Sequence, residues 1–353
     1  MESRRVSKKR LGLHEKTSKN VAKRRKGKGK GKDDSNTSDE NLYGILNERN
    51  IKDVQFGMDK RFLTWYGSNV YFDNETEQLG IKDNGNSNTD SKDKQSTDVH
   101  SLTGKTRFWL DTLFVCEYCF KYSENEENFR LHAERCRHKH SAPGRIKYKS
   151  PQYTIRRVRG YKHTLFCQCL CLFTKLFLDN KSMYFKVNHY DFYILYETTT
   201  DLSMKNKPLG FFSKDLVSYD QNNLACILIF PPYQRRRLGS LLIEFSYKLS
   251  KLDDIISGPE LPLSPFGLIG YLKYWSQIIS WELTEGELCD FDSVTLEDIS
   301  KVTGLRINDI IMTLKHLECI GEENRIYLDK LRRWLKTHER TFMIEDQYLL
   351  LDD

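Results

Sequence analysis

The chain has 353 residues, 39% of them hydrophobic and 30% charged, with 19 Phe, 19 Tyr and 5 Trp. It is longer than one ordinary domain and too rich in aromatic residues for a wholly disordered or collagen-like chain. The net charge of +7 is unevenly held, because residues 1–32 carry 14 Lys and Arg against two Glu and the rest carries 42 basic against 47 acidic groups. No run approaches the roughly 18 to 20 apolar residues of a membrane span and the start lacks the apolar stretch of a signal peptide, so the reading is a soluble protein made in the cytosol, with no membrane partner. In that reducing setting, nine cysteines argue for metal or catalytic thiols before disulfides.

In chain order, residues 1–40 read as a disordered basic tail, with Lys23-Arg24-Arg25-Lys26 and then alternating Gly and Lys. Such a mobile cation suits nuclear import or non-specific nucleic-acid contact; its plainer role is to solubilise. Leu42–Leu46 and the segment from Val54 to Tyr66 alternate aromatic and β-branched residues as strands do. Residues 74–106 hold no aromatic residue and are dense in Asn, Asp, Ser and Lys, which marks a disordered insertion within an N-terminal lobe spanning 41–145.

That lobe carries the first chemical motif. Cys116-x2-Cys119, twelve residues, His132, three residues, Cys136 offers two thiolates on a turn, with an imidazole and a thiolate on a helix. Together they form the tetrahedral N/S set of a structural zinc. His138 competes with Cys136 as fourth ligand, since the spacing to it also fits a DNA-reading finger over residues 108–145. Free core cysteines are the alternative to any metal. Farther on, Phe166, Leu170, Phe173 and Phe177 make the buried stripe of a helix. Cys167, Cys169 and Cys171 lie in it, but only Cys167 and Cys171 share a face, a poor basis for a second metal site.

The next stretch, 146–285, reads as a mixed α/β (α+β) core. Tyr184–Val187, Phe192–Tyr196, Leu209–Ser213 and Asn223–Phe230 read as successive strands of a meander. The last is nearly all apolar, as in a strand covered on both faces. After Pro231-Pro232, Leu238, Leu241, Leu242, Phe245, Leu249 and Leu252 mark a helix with one buried stripe. The turn between strand and helix holds Arg235, Arg236, Arg237 and Gly239. It is either a pyrophosphate cradle at a helix N-terminus or an ordinary helix start with a solvated basic patch. Glu260, between Pro259 and Pro262 and followed by Tyr271, Tyr274 and Trp275, is either a carboxylate of raised pKa on a rigid loop or a surface glutamate. In a C-terminal helical lobe, 286–353, Thr295–Leu305 and Asn308–Leu317 read as helix, Gly turn, helix. The many acidic residues there favour packing over phosphate contact.

Cys116-x2-Cys119, Leu176–Lys181, Asn223-x-Ala225-Cys226-Ile227-Leu228, Pro232-Tyr233-Gln234-Arg235, Leu241–Ser250 and Pro259-Glu260-x-Pro262-Leu263-Ser264 resemble, in order, the MYST family of histone acetyltransferases. The likeness runs from about Ile51 to Trp281 without the insertion, and is greatest to the silencing-associated members. It implies a GNAT-like acetyltransferase core that moves acetyl from acetyl-CoA to a histone tail lysine, most of all of histone H4. It also implies a nuclear, silencing-related role on the nucleosome and regulatory subunits in a multisubunit complex. Residue by residue, Glu260 matches the catalytic glutamate. Cys226 matches the active-site cysteine, as a covalent acetyl carrier or, the favoured reading, as a lining residue beside direct transfer. Ile227, Leu228 and Ile229 would face the cofactor, Gln234, Arg235, Arg236, Arg237, Leu238, Gly239 and Ser240 would wrap its pyrophosphate, and Ser264 and Lys273 would lie alongside. Lys181 matches the family's self-acetylated lysine, or is an ordinary loop lysine. One departure stands out: the family's Gln-x-x-Gly-x-Gly has Arg237 at its first glycine. If that position needs positive φ, a side chain there costs on the order of 1 kcal/mol. A rival reading follows, a catalytically impaired chromatin-binding subunit that works through finger and tail.

Overall fold

The computed structural model describes residues 8–12, 45–46, 49–72, 79, 108–178, 184–198, 206–338 and 342–350. Lys181, most of the basic tail and all but a single residue of the 74–106 insertion lie outside them. Among the described residues no helix is long and apolar enough to cross a membrane. The chain divides into two compact units, one from residues 1–32, 142–164 and 188–353, the other from 33–141 and 165–187.

The first unit is built on a five-stranded antiparallel meander, β8 (Arg145–Lys149), β9 (Tyr153–Arg159), β10 (Tyr190–Glu197), β11 (Pro208–Asp215) and β12 (Cys226–Ile229). One face of β10 and β11 gives Tyr193, Leu195 and Phe212 to a core shared with Leu238, Leu241, Leu242 and Phe245 of helix α3 (Leu238–Leu252). Burying each such side chain stabilises the unit by about 1.5–3 kcal/mol. Helix α4 (Pro265–Thr284) starts at Ser264, whose hydroxyl caps Gly267 N–H, with Pro265 in the first turn. Tyr271, Trp275, Ile279 and Leu283 recur along it at every fourth residue and pack with α5 (Leu296–Thr303), α6 (Ile307–His316) and α7 (Leu328–Thr337). Trp275 Nε1 donates to Tyr247 OH at 2.9 Å, tying α4 to α3. A capping box of Thr295 and Asp298 opens α5 and Gly304, at φ 75°, closes it.

Several expectations are corrected. Within the tail, Lys8–Gly12 forms strand β1 between β13 (Ser293–Thr295) and β14 (Arg325–Tyr327); the backbone there is paired on both sides and is not free coil. Tyr184–Val187 is not a strand. The Asn223–Phe230 strand shortens to Cys226–Ile229 and lies at the sheet edge. Its apolar run matches cover on both faces, with Ile227 and Ile229 packed on the α3 side and Leu228 buried on the other. The C-terminal lobe belongs to the same compact unit as the sheet, and residues 165–187 group with the N-terminal part.

The second unit holds β3 (Ile51–Phe56), β4 (Lys60–Leu63), β6 (Leu110–Val115) and β7 (Tyr122–Ser123) in the order β4-β3-β6-β7, with β3 and β6 parallel. A small pair, β2 (Ile45–Leu46) and β5 (Gly67–Ser68), accompanies it. Helix α1 (Glu126–Arg135) follows, and α2 (Thr164–Lys175) lies in this unit from Leu165 onward. Phe56 stacks on Phe173 at 5.1 Å and lies 6.2 Å from Phe120.

Candidate active site and metal centre

In the second unit, a tight turn presents Cys116 and Cys119. Phe120 N–H returns to the Cys116 carbonyl at 2.8 Å, with Phe120 itself at φ 63°. Asn125 caps α1 by accepting from Asn128 N–H at 2.9 Å, and α1 then delivers His132 on its last turn, with Cys136 just beyond. The ligand atoms of Cys116, Cys119, His132 and Cys136 all lie within 4.8 Å of one another, and Cys119 Sγ is 3.2 Å from His132 Nε2. Hydrogen bonds from Cys116 and Cys119 hold the Cys136 thiol well below its ordinary value, whereas hydrogen bonding to Cys116 and Cys136 together with burial drives Cys119 well above. Three thiols this close share protons in the absence of a cation. A divalent soft cation would let all three ionise, and the three-thiolate, one-imidazole set fits zinc. His138 lies outside this cluster: its Nδ1 is 3.3 Å from the Ser141 carbonyl and its ring meets Phe166 edge-on at 5.4 Å. Among the described residues this is the one such cluster; Cys167 and Cys171 are simply buried in α2.

In the first unit, β12 pairs with β11 along one edge, with Ile229, Leu228, Ile227 and Cys226 opposite Gly210, Phe211, Phe212 and Ser213. Gly210 is required, since a Cβ there would sit 2.7 Å from the Leu228 carbonyl. Among the described residues no strand pairs with the other edge of Cys226–Ile229. Gln234 turns back, donating Nε2 to the Ile229 carbonyl at 2.9 Å. Arg235 and Arg237 both take left-handed backbone, at φ 63° and 61°, with Arg237 in the N-cap position of α3. No side chain caps that helix, so its first N–H groups, from Leu238, Gly239 and Ser240, offer themselves to an anion. A Cβ at Gly239 would meet only Ile229 Cγ1, at 3.9 Å; space, not internal packing, surrounds this glycine. Arg236 donates to Glu197 at 2.8 Å, which raises its pKa.

Glu260 stands beside the start of β12. Leu224 and Pro259 pair in parallel, and Glu260 N–H donates to the Leu224 carbonyl at 2.9 Å, two residues before half-buried Cys226. Glu260 is exposed at the end of a strip, 257–259, that is itself buried. Ser264 spends its hydroxyl on capping α4, and Lys273 is exposed on that helix. Thus Glu260 stands beside the start of β12 and the arginine turn follows its end, while Ser264 and Lys273 lie before and in α4. Sequence reasoning missed Arg306, at the N-cap position of α6, and Asp309, in its first turn, which lie against Gly258. Burial pushes the Asp309 carboxyl up to about 6. An acidic residue in an amphipathic helix carries no signal of that environment.

A family model described as the MOZ/SAS family matches residues 141–349, and the chain belongs to that family. It is an acetyltransferase with a mixed α/β fold and a cluster of three cysteines and one histidine. The chain is 61% identical over 343 residues, 96% of either chain, to histone acetyltransferase SAS2 of Saccharomyces cerevisiae. It is 40% identical over 217 residues to histone acetyltransferase MOF of Drosophila melanogaster, covering 62% of this chain and 25% of that one. To the Tip60 homolog of Caenorhabditis elegans it is 38% identical over 210 residues, 59% of this chain and 45% of the other.

Proposed function

We propose that the chain is a nuclear histone lysine acetyltransferase that moves acetyl from acetyl-CoA to a histone H4 tail lysine in silent-chromatin regulation, with Glu260 as general base. The observation that supports this reading is the backbone bond from Glu260 to Leu224, which holds the Glu260 backbone beside the start of β12. A lysine ammonium of pKa near 10.4 is neutral in only about one molecule per thousand at pH 7. Glu260 accepts its proton; the freed amine attacks the thioester carbonyl, the N–C bond forms, the C–S bond breaks, and the second proton of the nitrogen passes to the departing thiolate, so that coenzyme A leaves as the thiol. The edge of Ile227, Leu228 and Ile229 and the turn from Gln234 to Ser240 supply the cofactor cradle, with Ser264 and Lys273 alongside. Cys226 lines the site. Cys116, Cys119, His132 and Cys136 hold a structural zinc, a closed set with no position left for substrate. Lys181 is the self-acetylated residue. The basic tail contacts nucleosomal DNA without sequence preference, and regulatory subunits complete the complex.

The test is acetyl transfer to an H4 tail peptide with Glu260→Gln as control. Transfer that is lost in the variant supports the reading. A second reading, an impaired chromatin-binding subunit, is favoured by one observation, the left-handed Arg237 in the cradle. An inactive wild type that still binds nucleosomes would establish it.

A further inference from the structure

The strip that carries Glu260 is held on two sides. On one, Asn223 N–H reaches the Gly258 carbonyl at 3.0 Å and Leu224 pairs with Pro259. On the other, Ser257 pairs in parallel with Leu305 and donates its N–H to the Gly304 carbonyl at 3.2 Å. Residues 257–260 are therefore the middle of three backbone segments, the outer two being the approach to β12 and the turn between α5 and α6.

Arg306, at the N-cap position of α6, fastens this arrangement. Its guanidinium donates to the Pro259 carbonyl at 3.3 Å, to the Asp220 carbonyl at 2.8 Å and to Asn222 Oδ1 at 2.8 Å. One planar side chain thus joins the turn of the helical lobe to the residue before Glu260 and to the loop that leads into β12. Lysine, a point charge with no fixed fork, cannot match three diverging acceptors in this way. Gly258 permits the approach: a Cβ there would lie 2.7 Å from Asp309 Oδ2 and 3.1 Å from Arg306 Cδ. Every one of these contacts is with the strip or the approach loop, none with the turn from Gln234 to Ser240.

We propose that Arg306 is a positioning residue for acetyl transfer, fixing the Glu260 backbone against the start of β12 so that the helix-turn-helix-like lobe acts on the reaction through one guanidinium. This extends the reading of Glu260 as base and depends on it. A base must stand within hydrogen-bond reach of the proton it takes, and an error of about 1 Å costs on the order of 100-fold in rate.

The experiment measures acetyl transfer to a histone H4 tail peptide by the full chain, purified with whatever subunits accompany it, for wild type, Arg306→Ala, Arg306→Lys, Glu260→Gln and the Arg306→Ala/Glu260→Gln pair. The expected result is a kcat about 10- to 100-fold lower in Arg306→Ala, a smaller loss in Arg306→Lys, and acetyl-CoA affinity within about twofold of wild type. Millimolar guanidinium restores part of the Arg306→Ala kcat, and Arg306→Ala adds no further loss to Glu260→Gln. Unchanged kcat in Arg306→Ala, or losses that simply multiply in the pair, overturns the positioning role and leaves the base intact. A Glu260→Gln enzyme as active as wild type overturns the base itself, and the positioning role with it. If Arg306→Ala does not fold, Asn222→Ala, which removes a single acceptor, takes its place in the same comparison.

Discussion

Arg237 sits at φ 61°, ψ 10°, in the N-cap position of α3, where the resembled family pattern has glycine. A side chain in left-handed backbone costs about 1–2 kcal/mol through its Cβ, whereas glycine loses about 0.5–1 kcal/mol more chain entropy on folding. Arg237→Gly should therefore stabilise the fold by roughly 0.5–1 kcal/mol, raising the thermal midpoint by about 1–4 °C. The same strain opposes the cradle conformation before ligand arrives, so its relief also raises the fraction of binding-competent turn. Release of about 1 kcal/mol corresponds to roughly fivefold tighter acetyl-CoA, and calorimetry should find a gain of about three- to tenfold. Arg237→Ala separates the two contributions of the side chain, because it removes the guanidinium but keeps the strained backbone. Its midpoint should stay within about 1 °C of wild type and its affinity should be equal or weaker. An Arg237→Gly protein that binds acetyl-CoA no more tightly than wild type, or melts with Arg237→Ala, would refute the strain cost.

Glu260→Gln should lower kcat about 100- to 10,000-fold at pH 7 with acetyl-CoA affinity preserved, as loss of a general base demands; steady-state kinetics with calorimetry checks both. Elemental analysis should find one zinc per chain, and Cys119→Ser or a strong chelator should melt the unit of residues 33–141 and 165–187, read by proteolysis and near-UV dichroism. Glu244, 3% exposed, accepts from Met343 N–H at 2.8 Å and Ile344 N–H at 3.1 Å, and burial pushes its carboxyl from 4.5 to about 7. The folded chain holds a proton that the unfolded chain has released, so this contribution is complete below about pH 4.5 and is lost as pH rises through 7. The loss amounts to about 3 kcal/mol at 1.36 kcal/mol per unit. Denaturant titrations from pH 5 to 8 should show Glu244→Gln gaining on wild type across that interval; a constant difference would contradict it. Finally, Lys9→Pro, which breaks the pairing of β1 with Ile326, should lower the thermal midpoint by several degrees.

The elements with a clean period are legible in the sequence. The stripe from Leu238 to Leu252 became α3, Phe166 to Phe177 marked α2, and Phe192–Tyr196 and Leu209–Ser213 lie inside β10 and β11. The metal cluster was readable because ligand spacing is local, although the choice of Cys136 over His138 needed the direction of α1. Strands β8 and β9 went unread: their Lys and Arg residues hide the alternation, and yet Tyr148, Ile155 and Val158 are buried. Helix α4 also escaped, because Gly267 and Gly270 and a nearly all-round apolar surface blur its 3.6 period. Strand β1 had no signal, since its partners lie far along the chain, Ser293 opposite Arg10 and Ile326 opposite Lys9. The site divides in the same way. Cys226 and the arginine turn are nearly contiguous in the chain, whereas the bond from Arg306 to the Pro259 carbonyl joins residues 47 apart and leaves no compositional mark.

The loss of a glycine in the cradle is a weaker argument for an inert protein than the sequence makes it look. What an anion needs from this turn is a set of N–H groups facing one space, and that requirement falls on φ and ψ, not on the residue type. Arg235 and Arg237 both hold left-handed backbone, α3 begins without a side-chain cap, and the space beside Gly239 is open, so the turn already has the backbone that glycine would favour. Arginine raises the free energy of that arrangement by an amount of the order of a single hydrogen bond. A penalty of that size weakens binding severalfold; abolishing it would take the several kcal/mol of a misdirected turn. Strain at Arg237 thus predicts a cofactor bound less tightly than in a glycine-bearing relative, and a general base with acetyl-CoA still to act upon.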